Sequence, residues 1–191
     1  MKKLAVALLI LLFAAGAKSP DEVWEMLAAH QEVRGYSATV SQGPVVYKVY
    51  FLRPRIRIEW VEGPPYLVGN VMISDGQWIW SRGKEGGWKK TPARPPSDPA
   101  HLFFFDLEKA RELYRIEEVS EEGGVLTFAL VAKTPPAKSN RPARWVFTTD
   151  PKSHRPLAYR TYSKAGKLLG EVVYRELDPT PPDPALFEVK P

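Results

Sequence analysis

The sequence predicts a mainly β protein, α+β in class: one long, curved antiparallel sheet whose open side is covered by short helices. Three observations predict it. From Tyr36 onward apolar residues recur with period two, β-branched and aromatic residues dominate those runs, and Gly or Pro pairs interrupt them about every ten residues, as in an antiparallel meander.

Ser19-Pro20-Asp21-Glu22 has the form of a capping box with proline at the first helical position, and Val23, Trp24 and Leu27 follow at helical spacing. This predicts an amphipathic helix that ends near Arg34-Gly35, where glycine can take a left-handed conformation. Strands follow at Tyr36–Val40, Val45–Phe51 and Ile56–Trp60, separated by Gly43-Pro44 and Arg53-Pro54, with Gly63-Pro64-Pro65 closing the third. Tyr66–Ser74 and Gln77–Ser81 form a further pair, joined by Asp75-Gly76, a dipeptide suited to a tight hairpin.

The proline-dense Thr91–Pro99 reads as a loop and Ala100–Tyr114 as a helix, with Phe103, Leu107, Ala110 and Leu113 on one face and a break near Asp106. Phe103, Phe104 and Phe105 cannot all face one core from a single helix. Either one points to a second apolar surface or all are buried beneath a loop. After Gly123-Gly124 the strand pattern resumes at Val125–Lys133, Arg144–Thr149, Leu157–Ser163 and Lys167–Leu177. The proline-rich tail should run extended over the surface, pinned by Leu186 and Phe187. About nine strands and two helices result.

The chain has 191 residues, and its first 17 read as a secretory signal: a basic start at Lys2-Lys3, a short apolar run, and small residues at Ala15 and Ala17. An uncleaved anchor is the alternative. Cleavage leaves residues 18–191 as one domain and lowers the net charge from +5 to +3 by loss of two lysines. No cysteine is present, which excludes disulfides, thiolate metal sites and a cysteine nucleophile. The basic residues are scattered among acids, which disfavours a nucleic-acid partner. His30, His101 and His154 are far apart, so neither a metal nor another cofactor is expected. No nucleophile elbow, phosphate-cradling glycine run or paired histidine appears, and the chain reads as a non-enzyme. Two carboxylates without a motif, as glycosidases use, are the remaining enzymatic alternative.

Several pieces, in order, resemble the periplasmic lipoprotein carriers of the LolA type. GYSATVSQ is similar to that family's opening strand, YFLRPRIRIEW to its strand ending in Arg-Pro and the aromatic-bearing strand after it, ISDGQWIW to its Ser-Asp-Gly hairpin, and LFEVKP to its closing segment. The resemblance implies an incomplete β-barrel closed by helices, with an apolar cavity for the acyl chains of lipoproteins or related lipids. It also implies an inner-membrane lipoprotein-releasing transporter and an outer-membrane acceptor as partners, a periplasmic location, and a chain with no need to self-associate, hence a monomer. By the same resemblance Arg53 would lock the lid, its guanidinium offering several donors in a fixed fork. The cavity would be lined by Trp24, Leu27, Phe51, Ile56, Ile58, Trp60, Val71, Ile73, Trp80, Phe103 and Phe105. The same fold also serves envelope sensors and scaffolds without transport activity. Arg82, Lys84, Lys89 and Lys90 either contact a membrane surface or form a solvated hairpin edge.

Overall fold

The computed structural model describes residues 18–30, 33–93, 107–135, 142–153 and 155–189. Helix α1 (Pro20–His30) starts as its capping box dictates. The Ser19 N–H donates to Glu22 Oε2 at 2.6 Å and the Glu22 N–H donates to Ser19 Oγ at 3.2 Å, so two otherwise orphaned donors are satisfied. These bonds hold the Glu22 carboxyl below its ordinary pKa.

Among the described residues eleven strands then build one sheet: β1 (Gly35–Gln42), β2 (Val45–Leu52), β3 (Arg55–Glu62), β4 (Val71–Ser74), β5 (Trp78–Arg82), β6 (Lys89–Pro92), β7 (Tyr114–Glu122), β8 (Val125–Ala132), β9 (Arg144–Thr149), β10 (Pro156–Tyr162) and β11 (Leu168–Asp178). A short helix α2 (Leu107–Leu113) leads into β7, and a 3-10 turn (Pro184–Phe187) follows β11. The strand order is β6-β5-β4-β3-β2-β1-β11-β10-β9-β8-β7, antiparallel throughout. Two meanders are thus joined by the β1–β11 ladder into an open sheet that stops short of a closed barrel.

Register defines two faces. On the inner face, Val23, Trp24, Met26 and Leu27 of α1 and Leu107 and Ala110 of α2 pack with Tyr114, Ile116, Leu126, Phe128, Leu130, Trp145 and Phe147, forming the largest core cluster. Phe128 and Phe147 stack at 5.5 Å, and Tyr114 meets Trp145 edge-on at 5.1 Å, the offset and T-shaped arrangements that ring quadrupoles favour. A second inner cluster, Tyr36, Ala38, Val40, Val49, Phe51 and Val172, lies on β1, β2 and β11. Tyr159 packs against both.

Two strands that the pattern did not predict are the sheet's free edges. In β7 the run is rich in glutamate, a weak strand former, and a bulge between Glu117 and Ser120 breaks the period of two. Glu118 takes a left-handed conformation there (φ 54°), held by Arg144, whose Nη1 donates to Glu118 Oε1 at 2.8 Å. In β6 the four residues Lys89–Pro92 are all exposed, and proline at an edge forfeits no ladder bond. Two expected boundaries also move. Residues 65–69 form turns, with the Leu67 N–H donating to the Pro64 carbonyl at 2.9 Å, so β4 begins only at Val71. Gly35 opens β1 instead of ending α1: a Cβ there would lie 2.5 Å from the Phe51 carbonyl oxygen and 3.1 Å from Pro182, so this position needs glycine for close backbone approach.

The tail runs past Gly35 and straps the outer face. Phe187, 4% exposed, packs with Val71 and Ile73, while Leu186 and Val189 join the same cluster. Arg57 Nη1 donates to the Leu186 carbonyl at 2.6 Å, and the Arg55 guanidinium lies 5.4 Å from the centre of the Phe187 ring. Arg55 and Arg57 therefore face the strap, and Arg57 also pairs with Glu59 at 2.5 Å. Phe187→Ala should lower the unfolding free energy by about 3 kcal/mol, since it empties a buried aromatic site. Urea denaturation followed by tryptophan fluorescence measures this, and a loss well below about 1 kcal/mol would show that the strap contributes little.

Candidate apolar binding face

The inner face is covered by α1 and α2 over its C-terminal meander, where those helices meet β7, β8 and β9. Over β2–β5 it presents a ladder of apolar rows. Phe51, Ile56, Ser74 and Ile79 face one another across successive strands, as do Val49, Ile58 and Met72, and then Tyr47 and Trp60. Phe51 and Val49 are buried, but Ile56, Ile58, Trp60, Met72 and Ile79 are only half-buried. Their apolar surface is thus incompletely covered, in a sheet whose other half is closed over by helices.

This face is dry. Burial pushes the Tyr47 hydroxyl up to about 12, and Tyr36, fully buried beside it, is raised further with the Tyr47 charge adding to the burial. Tyr47 and Trp60 meet at 6.4 Å, and Tyr36 and Phe51 at 5.4 Å. Ser74, the polar residue of the ladder, turns inward to its own hairpin, where its Oγ accepts from the Gly76 N–H at 3.2 Å. Asp75 Oδ1 accepts from the Gln77 and Trp78 N–H groups at 2.9 and 2.7 Å, and Gly76 sits at φ 90°, so Asp75-Gly76 does form the tight turn. Among the described residues no group of three His, Asp or Glu could hold a metal ion.

The residues expected to line one cavity fall into separate places. Phe51, Ile56, Ile58 and Trp60 share the inner face. Trp24 and Leu27 lie in α1 against β7–β9, in the larger core. Val71, Ile73 and Trp80 do not join them: Arg57 pairs with Ile73, and Ile73 with Trp80, which puts all three on the outer face under the strap. Met72 and Ile79, of opposite parity, take the inward positions instead. Phe103 and Phe105 lie outside the described residues. Arg53 is exposed at the β2–β3 turn, its N–H donating to the Arg34 carbonyl at 3.0 Å; among the described residues its guanidinium has no hydrogen-bond partner. The outer face also holds an open recess of about 180 Å³ lined by Ser37, Thr39, Lys48 and Glu176, too polar for an apolar ligand.

No family model matches the chain, and no curated protein matches it. Solved structures do. An uncharacterized conserved protein from Thermus thermophilus aligns with 91% of this chain and 95% of its own at a TM-score of 0.61 and 16% identity. MucB, in the MucA/MucB complex of Pseudomonas aeruginosa, aligns with 87% of this chain at a TM-score of 0.53 and 15% identity, and this chain spans 60% of that one. The pieces that carry the sequence resemblance also land where it assigns them: GYSATVSQ is β1, RIRIEW opens β3, and ISDGQWIW is the β4–β5 hairpin. The chain shares the fold of these two proteins, in agreement with the arrangement that the LolA-like resemblance of its sequence implies. A LolA superfamily protein from Nitrosomonas europaea aligns with 90% of this chain at 9% identity and a TM-score of 0.41, a superposition too loose to argue from. At these identities the LolA-like likeness concerns the fold alone.

The raised Tyr47 pKa has a consequence at alkaline pH. An unfolded tyrosine ionises from pH 10, the folded one only near 12, so the unfolded state gives up its proton first and stability falls as pH rises through this window. Tyr47→Phe should flatten that fall in urea titrations between these two pH values. An unchanged slope would place the Tyr47 hydroxyl in water.

Proposed function

We propose that this chain is an exported carrier of the periplasm that holds the acyl chains of lipoproteins, or related lipids, against the inner face of β2–β5 and shuttles them toward the outer membrane. The observation that carries the reading is the half-buried apolar ladder Ile56, Ile58, Trp60, Met72 and Ile79, on the same face that α1 and α2 cover elsewhere. It is a binding function, with no catalytic role for the chain. The signal-like first 17 residues support export, with a transporter in the inner membrane as donor and an outer-membrane protein as acceptor.

The chemistry suits acyl chains. Each methylene taken from water contributes about 0.8 kcal/mol, so one chain of roughly fourteen carbons contributes on the order of 10 kcal/mol before opposing terms. Affinity of that size needs a release step. A lid that lays its own apolar side chains on the ladder would compete with cargo, and Arg53, at the β2–β3 turn, would secure that lid by donating to backbone carbonyls.

A second reading, a sensor or scaffold of the same fold, draws on MucB, solved in complex with the periplasmic part of MucA. Native mass spectrometry of the protein taken from its own envelope separates the two. Co-purifying acylated protein or lipid at unit stoichiometry supports the carrier; a bare protein that also fails to bind apolar dyes supports the scaffold. Ile58→Lys should weaken binding of a fluorescent fatty acid roughly tenfold or more by placing a charge on the apolar ladder, whereas Trp80→Ala, on the outer face, should leave it nearly unchanged. The reverse pattern would move the site to the outer face. Arg53→Leu should fold normally and retain cargo that the native protein passes on, and unaltered transfer in that variant would remove Arg53 from the lid.

A further inference from the structure

The apolar cluster of the strap reaches Trp80 and Trp88, both half-buried, and from there outward the β5–β6 hairpin carries aromatic rings interleaved with cations. Trp78 and Trp80 lie on the same side of β5, and Lys90 of β6 sits across from Trp80 with its Nζ 4.1 Å from the centre of the Trp78 ring and 5.3 Å from that of Trp80. At the other end of the hairpin the Arg82 guanidinium lies 5.0 Å from the centre of the Trp88 ring. Lys84 is exposed on the connecting turn, its stem beside Gly69 in the β3–β4 connection, where Tyr66 is 76% exposed. Between Trp78 and Pro92 there are four cations and one acid, Glu85.

We infer that this outer surface of the β5–β6 hairpin docks the protein on an anionic lipid bilayer. Tryptophan and tyrosine place an apolar ring and a polar edge at the level of lipid headgroups, and lysine and arginine beside them meet the phosphates while their stems lie along apolar surface. A single-stranded nucleic acid is a poorer fit, because it would stack bases on ring faces that Lys90 and Arg82 already occupy. The inference is independent of the proposed cargo, since these side chains lie on the face opposite the apolar ladder.

The test is co-sedimentation of the protein, as processed in its host, with vesicles of phosphatidylcholine alone and of phosphatidylcholine containing phosphatidylglycerol, at low and high salt. The expected result is binding to the anionic vesicles that weakens as salt rises, and a loss of roughly thirtyfold in Arg82→Glu/Lys90→Glu. Trp78→Ala should weaken binding while leaving its salt dependence in place, which separates ring insertion from charge. The urea midpoint and far-ultraviolet circular dichroism of the charge-reversed variant report whether it is folded. Equal binding to both vesicle types, no binding to either, or unaltered binding in a folded Arg82→Glu/Lys90→Glu variant would overturn the inference. Tight binding to single-stranded DNA without binding to vesicles would overturn it too and assign the patch to a polyanion.

Discussion

The pairing of β1 with β11 is the interaction on which the rest of the molecule depends. Strands β1–β6 and β7–β11 are each consecutive hairpins, and each meander alone would have one apolar face and little to set against it. The β1–β11 ladder sets Val40 opposite Tyr174 and so aligns the inner faces of the two meanders. The helix-covered core on β7–β9 and the apolar rows on β1–β3 then become one surface, with Tyr159 packed against both clusters. A bulge between Ser37 and Thr39 accommodates the junction; Glu176 there takes a left-handed conformation (φ 47°) and accepts from Thr39 Oγ1 at 3.0 Å. One residue of slip in this ladder would turn the inner apolar set of one meander toward the outside of the other.

The second constraint is that an open sheet must deal with both of its faces. Over β7–β11 the outer face mixes apolar residues with charged ones, including ion pairs such as Arg160–Glu171 at 2.6 Å. Over β2–β5 it carries an apolar patch, because Val71, Ile73, Trp80 and Leu52 lie outward. The tail solves that problem with one buried aromatic, Phe187, and two arginines that hold it in place through a carbonyl and a ring. Covering the outer face with the chain's own tail leaves the inner face of the same strands, among the described residues, with its apolar ladder half-buried.

Much of this was legible in the sequence. The capping box at Ser19–Glu22, the alternation in β1, β2 and β3, the Asp75-Gly76 turn and the anchoring of the tail by Phe187 each follow from local chemistry that the structure repeats. What could not be read was orientation where both parities are apolar. In Val71-Met72-Ile73 and Trp78-Ile79-Trp80 either set could face inward, and only the cross-strand register, with Arg57 opposite Ile73, decides it. The two edge strands were hidden for the opposite reason. They have too little apolar pattern to announce themselves, and an edge strand is permitted that because its outer partners are water.

The same parity argument bears on how the two surfaces could work together. The strands β3, β4 and β5 present the apolar ladder on one side and the strap, then the aromatic and basic hairpin surface, on the other. A ligand on the ladder and a bilayer on the hairpin would therefore be separated by the thickness of one sheet, and neither would have to leave for the other to bind. Strand β6 borders both surfaces. Its alternation sends Lys89 to the inner side, opposite Ser81, and Lys90 to the outer side, opposite Trp80, so the free edge is cationic toward both faces.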